Sequence, residues 1–461
     1  MRKGSISIFS LLVMMLVASV LFALLEGVRY QETKTLCNWQ TLIALESAFA
    51  KYDSDLWEKY MLLGCDVNEL EERITQKANI KATSSLHGLQ MCGFELENVA
   101  VESYTLMTDG RGAVYTKAVS QTMQQTIGYG LAKEIFNQYE AIKCLVKEST
   151  WNSSWLSESL QLEVNENIEY NPMQEVKSMQ EMGILELVIE DITMVSKATV
   201  DKDSFVSKRS LMQGRCAVVP EYEWLDKVLL QQYLLQNMKC YGQAHRNSGL
   251  EYQVEYLIGK TECDAENLKV VVSKLLLLRE MTNFLYLTTN TVKMEEAGLV
   301  ALALAGASGN PLVVEVVKMG IVAAWSFGES VLDIRALLQG KQIPLLKSDS
   351  TWTLDISQIG MISDGYISSR AVKDGLDYQD YLGILLLFEQ EEQLSMCAMD
   401  IQELVIRSQK ERAQFRMDEV VVQTDVVVEY FSNPIFLTYF RLDGMVPSVY
   451  KIKTKHSYGY Y

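Results

Sequence analysis

The sequence predicts an α+β chain that is mostly helical. An N-terminal transmembrane helix continues outward as a stalk, a large helical body follows, and a small antiparallel sheet takes in the C-terminal strands. Three observations predict this. Residues 5–25 form an uncharged apolar run, helical periodicity dominates 26–49 and 221–340, and β-branched or alternating segments stand at 94–107 and beyond 419. With 461 residues, the chain is long enough for one large or two to three ordinary folding units. Hydrophobic residues make up 48% and charged residues 22%, which excludes wholesale disorder, collagen and a polytopic membrane protein. The formal net charge of −17 argues against general nucleic-acid binding, because an acidic surface repels phosphate backbones.

The run Ser5–Leu25 has no charge, Pro or Gly. As a helix rising about 1.5 Å per residue, it matches the roughly 30 Å hydrocarbon core. It is longer than the apolar region of a cleavable secretory signal, so the expectation is an uncleaved anchor in contact with lipid. Arg2 and Lys3 precede it and Glu26 follows. The positive-inside rule then places the short N-terminus in the cytoplasm and the body outside, in a single-pass cell-membrane protein.

From Glu26, the apolar positions Val28, Leu36, Trp39, Ile43 and Phe49 extend the helix as a stalk to about Lys51. The spacing is equally consistent with a separate core helix after a short break. A short helix is expected at 55–64, polar helical sequence at 68–84, and a strand at 94–107. Thr108–Gly112 is a turn and 113–146 a long amphipathic helix. Residues 147–180 are polar and acidic, and read as a linker or exposed insertion. A β-leaning stretch covers 184–200. Helices are expected at 222–240, 250–258, 264–288, 292–305, 312–338 and 376–408, with Pro311 in a favourable first-turn position. Strands are expected at 419–430, 435–441 and 450–460. The linear organisation is therefore 1–25 tail and anchor, 26–146 stalk with strand and helix, 147–180 linker, 181–410 helical body and 411–461 C-terminal β segment. The apolar stretch 297–327 is read as buried core helices, since Asn310-Pro311 breaks it and Glu315 and Lys318 interrupt its second part.

The N-terminal stretch KGSISIFSLLVMMLVASVLFALLEGVRYQ resembles TadE/TadG-type pilus-assembly proteins. These begin with a short basic-Gly lead, an apolar helix containing Ser and aromatics, and an acidic residue just after it. With 44–64, 233–238, 250–260, 275–287 and 376–388, the chain also looks like an uncharacterised family of membrane-anchored envelope proteins of Gram-positive anaerobes. That resemblance implies no activity. It does imply a structural, pseudopilin-like or accessory role in a Tad-type pilus or secretion system, with other single-span proteins as partners. Gly4 and Ser5 would flank a prepilin-peptidase cut, but Phe9 stands where pilin-type substrates carry Glu. Ser7 and Ser10, neighbours on one helix face, offer a contact to other spans; bonding to their own helix carbonyls is the competing reading.

Chemistry-bearing motifs are sparse. The eight cysteines, at 37, 65, 92, 144, 216, 240, 263 and 397, lie at least 23 residues apart, so no CxxC arises. Buried free thiols are expected; Cys216, Cys240 and Cys263 are the pool for any disulfide. The histidines are His87, His245 and His456, and no HExxH, GxSxG or phosphate-binding loop occurs. Ser308 in GASGN lacks the spacing of a nucleophile elbow. Asp201 and Asp203 begin like a calcium loop without its Gly. One constellation has geometry. At 100° per residue, Glu315, Ser326, Glu329 and Asp333 share a face of helix 312–338. Paired carboxylates suit glycan hydrolysis or cation binding. The simpler reading, and the expectation, is a solvated stripe with Lys318 pairing Glu315. The expected functions are therefore a non-enzymatic assembly component first, an anchored binding protein or adhesin second and a cell-wall hydrolase last. No catalytic, cofactor or metal residue is assigned.

Overall fold

The computed structural model describes residues 3–79, 92–126, 129–148, 158, 170–215, 219–243, 249–363, 365, 367, 369–370, 375–437 and 449–461. It divides into two compact units, each discontinuous in sequence. Unit 1 comprises 1–118, 211–221 and 416–461; unit 2 comprises 119–210 and 222–415.

Unit 1 is organised by one unbroken helix, α1 (Lys3–Phe49), so the apolar run and the segment expected as its stalk are continuous. Its two halves differ sharply. Leu16, Val20, Leu21, Leu24 and Leu25 are each about half exposed or more, whereas Glu26, Arg29, Thr33, Cys37, Thr41, Leu45 and Phe49 are buried. That buried set recurs every three to four residues and defines the face laid against the sheet. It differs from the apolar set expected from sequence: Val28, Trp39 and Ile43 point outward, and polar Thr33 and Thr41 point inward. The polar pair is affordable because it is satisfied. Thr41 Oγ1 meets Thr454 Oγ1 at 2.8 Å and Tyr430 Oη at 3.1 Å, and Thr33 donates to the Arg29 carbonyl.

Short helices α2 (Ser54–Tyr60) and α3 (Val67–Ala78) flank the two-residue strand β1 (Cys65–Asp66). Asp53 and Asp66 cap these helices with their side chains. Strands β2 (Glu95–Leu106), β3 (Val420–Ser432) and β4 (Tyr450–Gly459) complete a wholly antiparallel sheet. β3 is central, with β2 along one edge and β4 then β1 along the other. Register shifts near Leu96, Val101 and Thr105 interrupt the alternation of β2. The core between α1, α3 and the sheet includes Cys37, Leu45, Phe49, Ile74, Val428, Tyr430 and Ile452. Phe49 packs edge-on against Tyr458 at 5.0 Å. Stalk, sheet and chain end therefore meet, as the sequence implies. The expected turn is present: Gly110, Arg111 and Gly112, within the bounds of helix α4 (Asp109–Thr126), all have positive φ and break the helix near its start.

Unit 2 is helical. Its elements are α5 (Tyr129–Glu148), α6 (Pro172–Glu181), α7 (Ile184–Val188), α8 (Trp224–Asn237), α9 (Gln253–Gly259), α10 (Asp264–Thr289), α11 (Thr291–Ala305), α12 (Pro311–Leu338), α13 (Tyr378–Phe388) and α14 (Glu391–Arg407). Long helices α10 and α12 pack together at the centre, with α11 also against α12. Trp325 is fully buried there and donates from Nε1 to the Leu354 carbonyl at 2.8 Å. Asn310 caps α12 and Pro311 opens it.

Four segments correct the sequence reading. Residues 172–180, expected as exposed linker, form α6, whose Met173, Val176 and Met179 are buried; the polar composition reflects only its outer face. The β-leaning 184–200 becomes α7 and the 3₁₀ turn Ile192–Met194, with one isolated bridge from Thr199 to Cys263. Helix 376–408 is two helices, divided at Glu389-Gln390. Ile435 starts no strand: 435–437 is a bend and 3₁₀ turn, and 438–441 lies outside the described residues.

Candidate functional site

Helix α12 carries the acidic constellation, and the structure overturns its solvated reading. Only Glu315 behaves as expected, with a side chain 60% exposed and Lys318 at 3.4 Å. Ser326, Glu329 and Asp333 are completely buried. The helix is apolar around most of its circumference, and this face turns toward α10 and the segment 343–354.

Two cations meet the two buried carboxylates. Arg279, from α10, donates Nε and Nη2 to Asp333 Oδ2 at 3.1 and 2.8 Å. Lys347 Nζ bridges Glu329 Oε1 and Asp333 Oδ1, each at 2.7 Å. Asn283, one turn beyond Arg279, donates to Asp333 Oδ2 at 3.1 Å and to Ser330 Oγ at 3.0 Å. Glu329 also accepts the Leu354 N–H at 2.8 Å and the Thr353 N–H at 3.1 Å. Ser369 donates to Asp333 Oδ1 at 3.0 Å. The four formal charges cancel, and every carboxylate oxygen has partners. Charges buried this deeply persist only when so compensated.

The carboxyls are driven apart. Burial and the neighbouring Asp333 charge raise Glu329, against the pull of Lys347. Burial would also raise Asp333, but Arg279 and Lys347 outweigh it and hold the group below the usual aspartate value. Such a split is found in acid–base pairs. Here, however, each oxygen is engaged by a cation, an amide or a hydroxyl. The arrangement locks α10, α12 and 343–354 together.

A cavity of about 270 Å³ adjoins this knot. Ser369 belongs to both, touching Asp333 on one side and lining the cavity on the other. Polar groups dominate its chemistry: Glu186, Glu190, Arg335, Gln339 and Ser363 join Ser369 in the wall. Arg335, two residues beyond Asp333, donates Nε to the Leu187 carbonyl and Nη1 to the Ile362 carbonyl, both at 2.8 Å. Burial pulls this guanidinium below its usual value, and Glu190 counters that. Gln339 Nε2 holds Glu190 at 3.1 Å.

Sequence reasoning found the two carboxylates and missed Arg279, Asn283 and Lys347. A signal existed for the first two. Arg279 is a lone cation in LLLLREMTNFLYL, and Arg279/Asn283 repeat the i, i+4 spacing of Glu329/Asp333. Lys347 sits in irregular chain, where no periodicity marks an inward-facing residue.

The remaining motifs take structural places. Asp201 accepts the Asp203 N–H at 3.1 Å and caps a 3₁₀ turn. Ser308 Oγ bonds the Ala305 carbonyl at 2.7 Å. His456 Nε2 lies 3.3 Å from Asn38 Oδ1. Cys37, Cys65, Cys240 and Cys397 are buried thiols, Cys92 and Cys263 are half-buried and Cys144 is exposed. His87, His245 and Cys216 lie outside the described residues. No group of three or more His, Cys, Asp or Glu arranged to hold a metal occurs among the described residues. Gly4 and Ser5 lie in the first turn of α1, and Ser19 bonds back to the Leu16 carbonyl at 2.8 Å.

No curated protein and no solved structure matches the chain. Residues 162–432 match the profile of a family of unknown function, DUF5702. That match covers more than half of the chain and contains the whole ion-pair knot and the cavity beside it; the protein belongs to this family.

Proposed function

We propose that the protein is a non-enzymatic, single-pass membrane component whose body lies outside the cytoplasm. In this reading it serves as an accessory or pseudopilin-like part of a Tad-type pilus or secretion assembly. The observation that carries it is α1: one 47-residue helix, bare and apolar over its first half and clad by a sheet over its second. A helix of that length runs about 70 Å, enough to cross a bilayer and still carry a head. The outward Val28, Trp39 and Ile43 give the clad half an apolar face for neighbouring subunits, and Arg2 and Lys3 orient it. The N-terminal resemblance supports the pilus context. Full engagement of Glu329 and Asp333 supports a scaffolding over a hydrolytic role for the acidic face.

Protease added to intact protoplasts tests the topology. The body is digested while a cytoplasmic marker survives; survival of both rejects the orientation. A second reading, an anchored binding protein, is favoured by the polar cavity around Arg335. Arg335→Gln would then abolish ligand retention without altering membrane localisation.

A further inference from the structure

Within unit 1, the chain that leaves β3 turns back onto α1 where its exposed apolar half ends. Glu26, the first charged residue after the apolar run, is 2% exposed and Arg29 is 3% exposed. Glu26 Oε1 accepts Arg29 Nε at 2.9 Å and Nη2 at 2.6 Å. Its other oxygen accepts the N–H groups of Ile435 and Phe436, at 3.1 and 2.7 Å. Arg29 also donates Nη2 to the Asn433 carbonyl at 2.7 Å. The turn 433–436 is thus clamped to the helix by a buried ion pair. Burial would raise the Glu26 carboxyl, but Arg29 and the two amides hold it below the usual glutamate value.

The clamp sets the height of an apolar turn. Phe436 stacks on Phe22 with centroids 6.1 Å apart. Phe22 lies inside the apolar run, three residues or about 4.5 Å before its end. Phe436 therefore stands level with the last turn of the segment read as membrane-spanning. Pro434 is buried, Ile435 beside it is 37% exposed, Phe436 and Leu437 are half-buried, and these four residues carry no charge. Aromatic and aliphatic side chains at this height match the boundary between headgroups and acyl chains, where amphipathic elements settle about 5–10 Å deep. Pairing Glu26 with Arg29 reduces the cost of holding charges beside hydrocarbon.

We propose that the apolar side chains of Ile435–Leu437 insert into the headgroup–acyl boundary of the bilayer, giving unit 1 a second, monotopic contact beside its anchor. This rests on the reading of residues 5–25 as a membrane span. The occupant is lipid, because the turn is fixed to the flank of a helix whose adjoining surface is itself bare and apolar. Two contacts at different chain positions fix the tilt and rotation of the sheet relative to the membrane, which a single helix leaves free.

The experiment uses the full chain in phosphatidylcholine/phosphatidylglycerol vesicles. A genetically encoded fluorescent amino acid is placed singly at Ile435, at Val17 in the anchor, and at Lys453 on β4. Lipids brominated at acyl carbons 6 and 7 act as the membrane quencher and iodide as the aqueous one. Bromolipid quenching at 17 and 435, with iodide quenching alone at 453, is the expected result. Quenching of 435 by iodide alone, while 17 responds to bromolipid, overturns the inference and leaves the anchor standing. Protection of 435 from both quenchers means that protein covers the turn, and overturns it equally. Absence of bromolipid quenching at 17 rejects the span itself, and the inference with it.

Discussion

Among the described residues, two helices, α1 through its apolar first half and α12, are long and apolar enough to cross a membrane. Their surroundings are opposite. The most apolar window of α1 is bare, while half of the corresponding window in α12 is buried within the protein, and Val317, Trp325, Val331 and Leu332 are wholly enclosed. Hydropathy measures the dislike of water and not the identity of the replacement solvent. For α12 the replacement is the helical body, and its two buried carboxylates are tolerable because Arg279 and Lys347 come from other elements to meet them. Residues 7–25 of α1 carry no charge to pair, and apart from the Phe22–Phe436 contact near their end they are largely bare.

One charged residue in each helix breaks the comparison most directly. Val331 is wholly buried. Val331→Asp buries an unpaired carboxylate, costing about 5 kcal/mol or more, comparable with the net stability of a domain. The expected result is loss of the cooperative thermal unfolding transition of unit 2. The equivalent change in α1, Leu12→Asp, should leave the body folded and reduce the membrane-bound fraction, at about 2.5–3.5 kcal/mol of insertion free energy. Equal unfolding by both variants would erase the distinction between the helices.

Lys347→Met sharpens the account of α12. It leaves Glu329 and part of Asp333 without their cation, and about 3–5 kcal/mol of stability should go. Denaturant titration of the detergent-solubilised chain provides the measure; an unchanged midpoint would mean that the knot does not hold unit 2 together.

Two buried glutamates, one in each unit, should also answer pH in opposite senses. In unit 2, Glu255 is fully enclosed, and burial pushes its carboxyl up to about 7 despite bonds from the Tyr241 N–H and Tyr378 Oη. A folded value above the unfolded one means that stability is present at acid pH and is lost as pH rises through about 7, by about 3 kcal/mol. Glu255→Gln should flatten that decline. In unit 1, the lowered Glu26 value predicts the reverse: its contribution is present above the unfolded value and lost as pH falls. Thermal melts from pH 4 to 9, read separately on reporters in each unit, distinguish the two.

Most local is Arg29→Met, which leaves the buried Glu26 carboxylate held only by the Ile435 and Phe436 amides and costs the clamp on 433–436 about 3 kcal/mol. Hydrogen exchange at the Ile435 and Phe436 amides should accelerate while exchange in the α10–α12 core stays fixed. Uniform acceleration throughout would show that the clamp is not local.

By itself, the sequence determined the elements whose signal is periodic and local. The uncharged run 5–25, the helices around 224–237, 264–289 and 311–338, the Gly110-Arg111-Gly112 turn and the strands ending the chain all follow from hydropathy period, propensity and glycine. It also placed Glu329 and Asp333 on one helix face, because 100° per residue requires it. Only the tertiary structure decided where that face points. A period reports which residues lie together and says nothing of what covers them, so a carboxylate stripe reads the same facing water or facing Arg279 and Lys347. The same blindness reversed the reading of α1 beyond Glu26, where Val28, Trp39 and Ile43 face outward and Thr33 and Thr41 face inward. Thr41 is buried because Tyr430 and Thr454, some four hundred residues away in the chain, supply its hydrogen bonds, and partners at that separation leave no local trace.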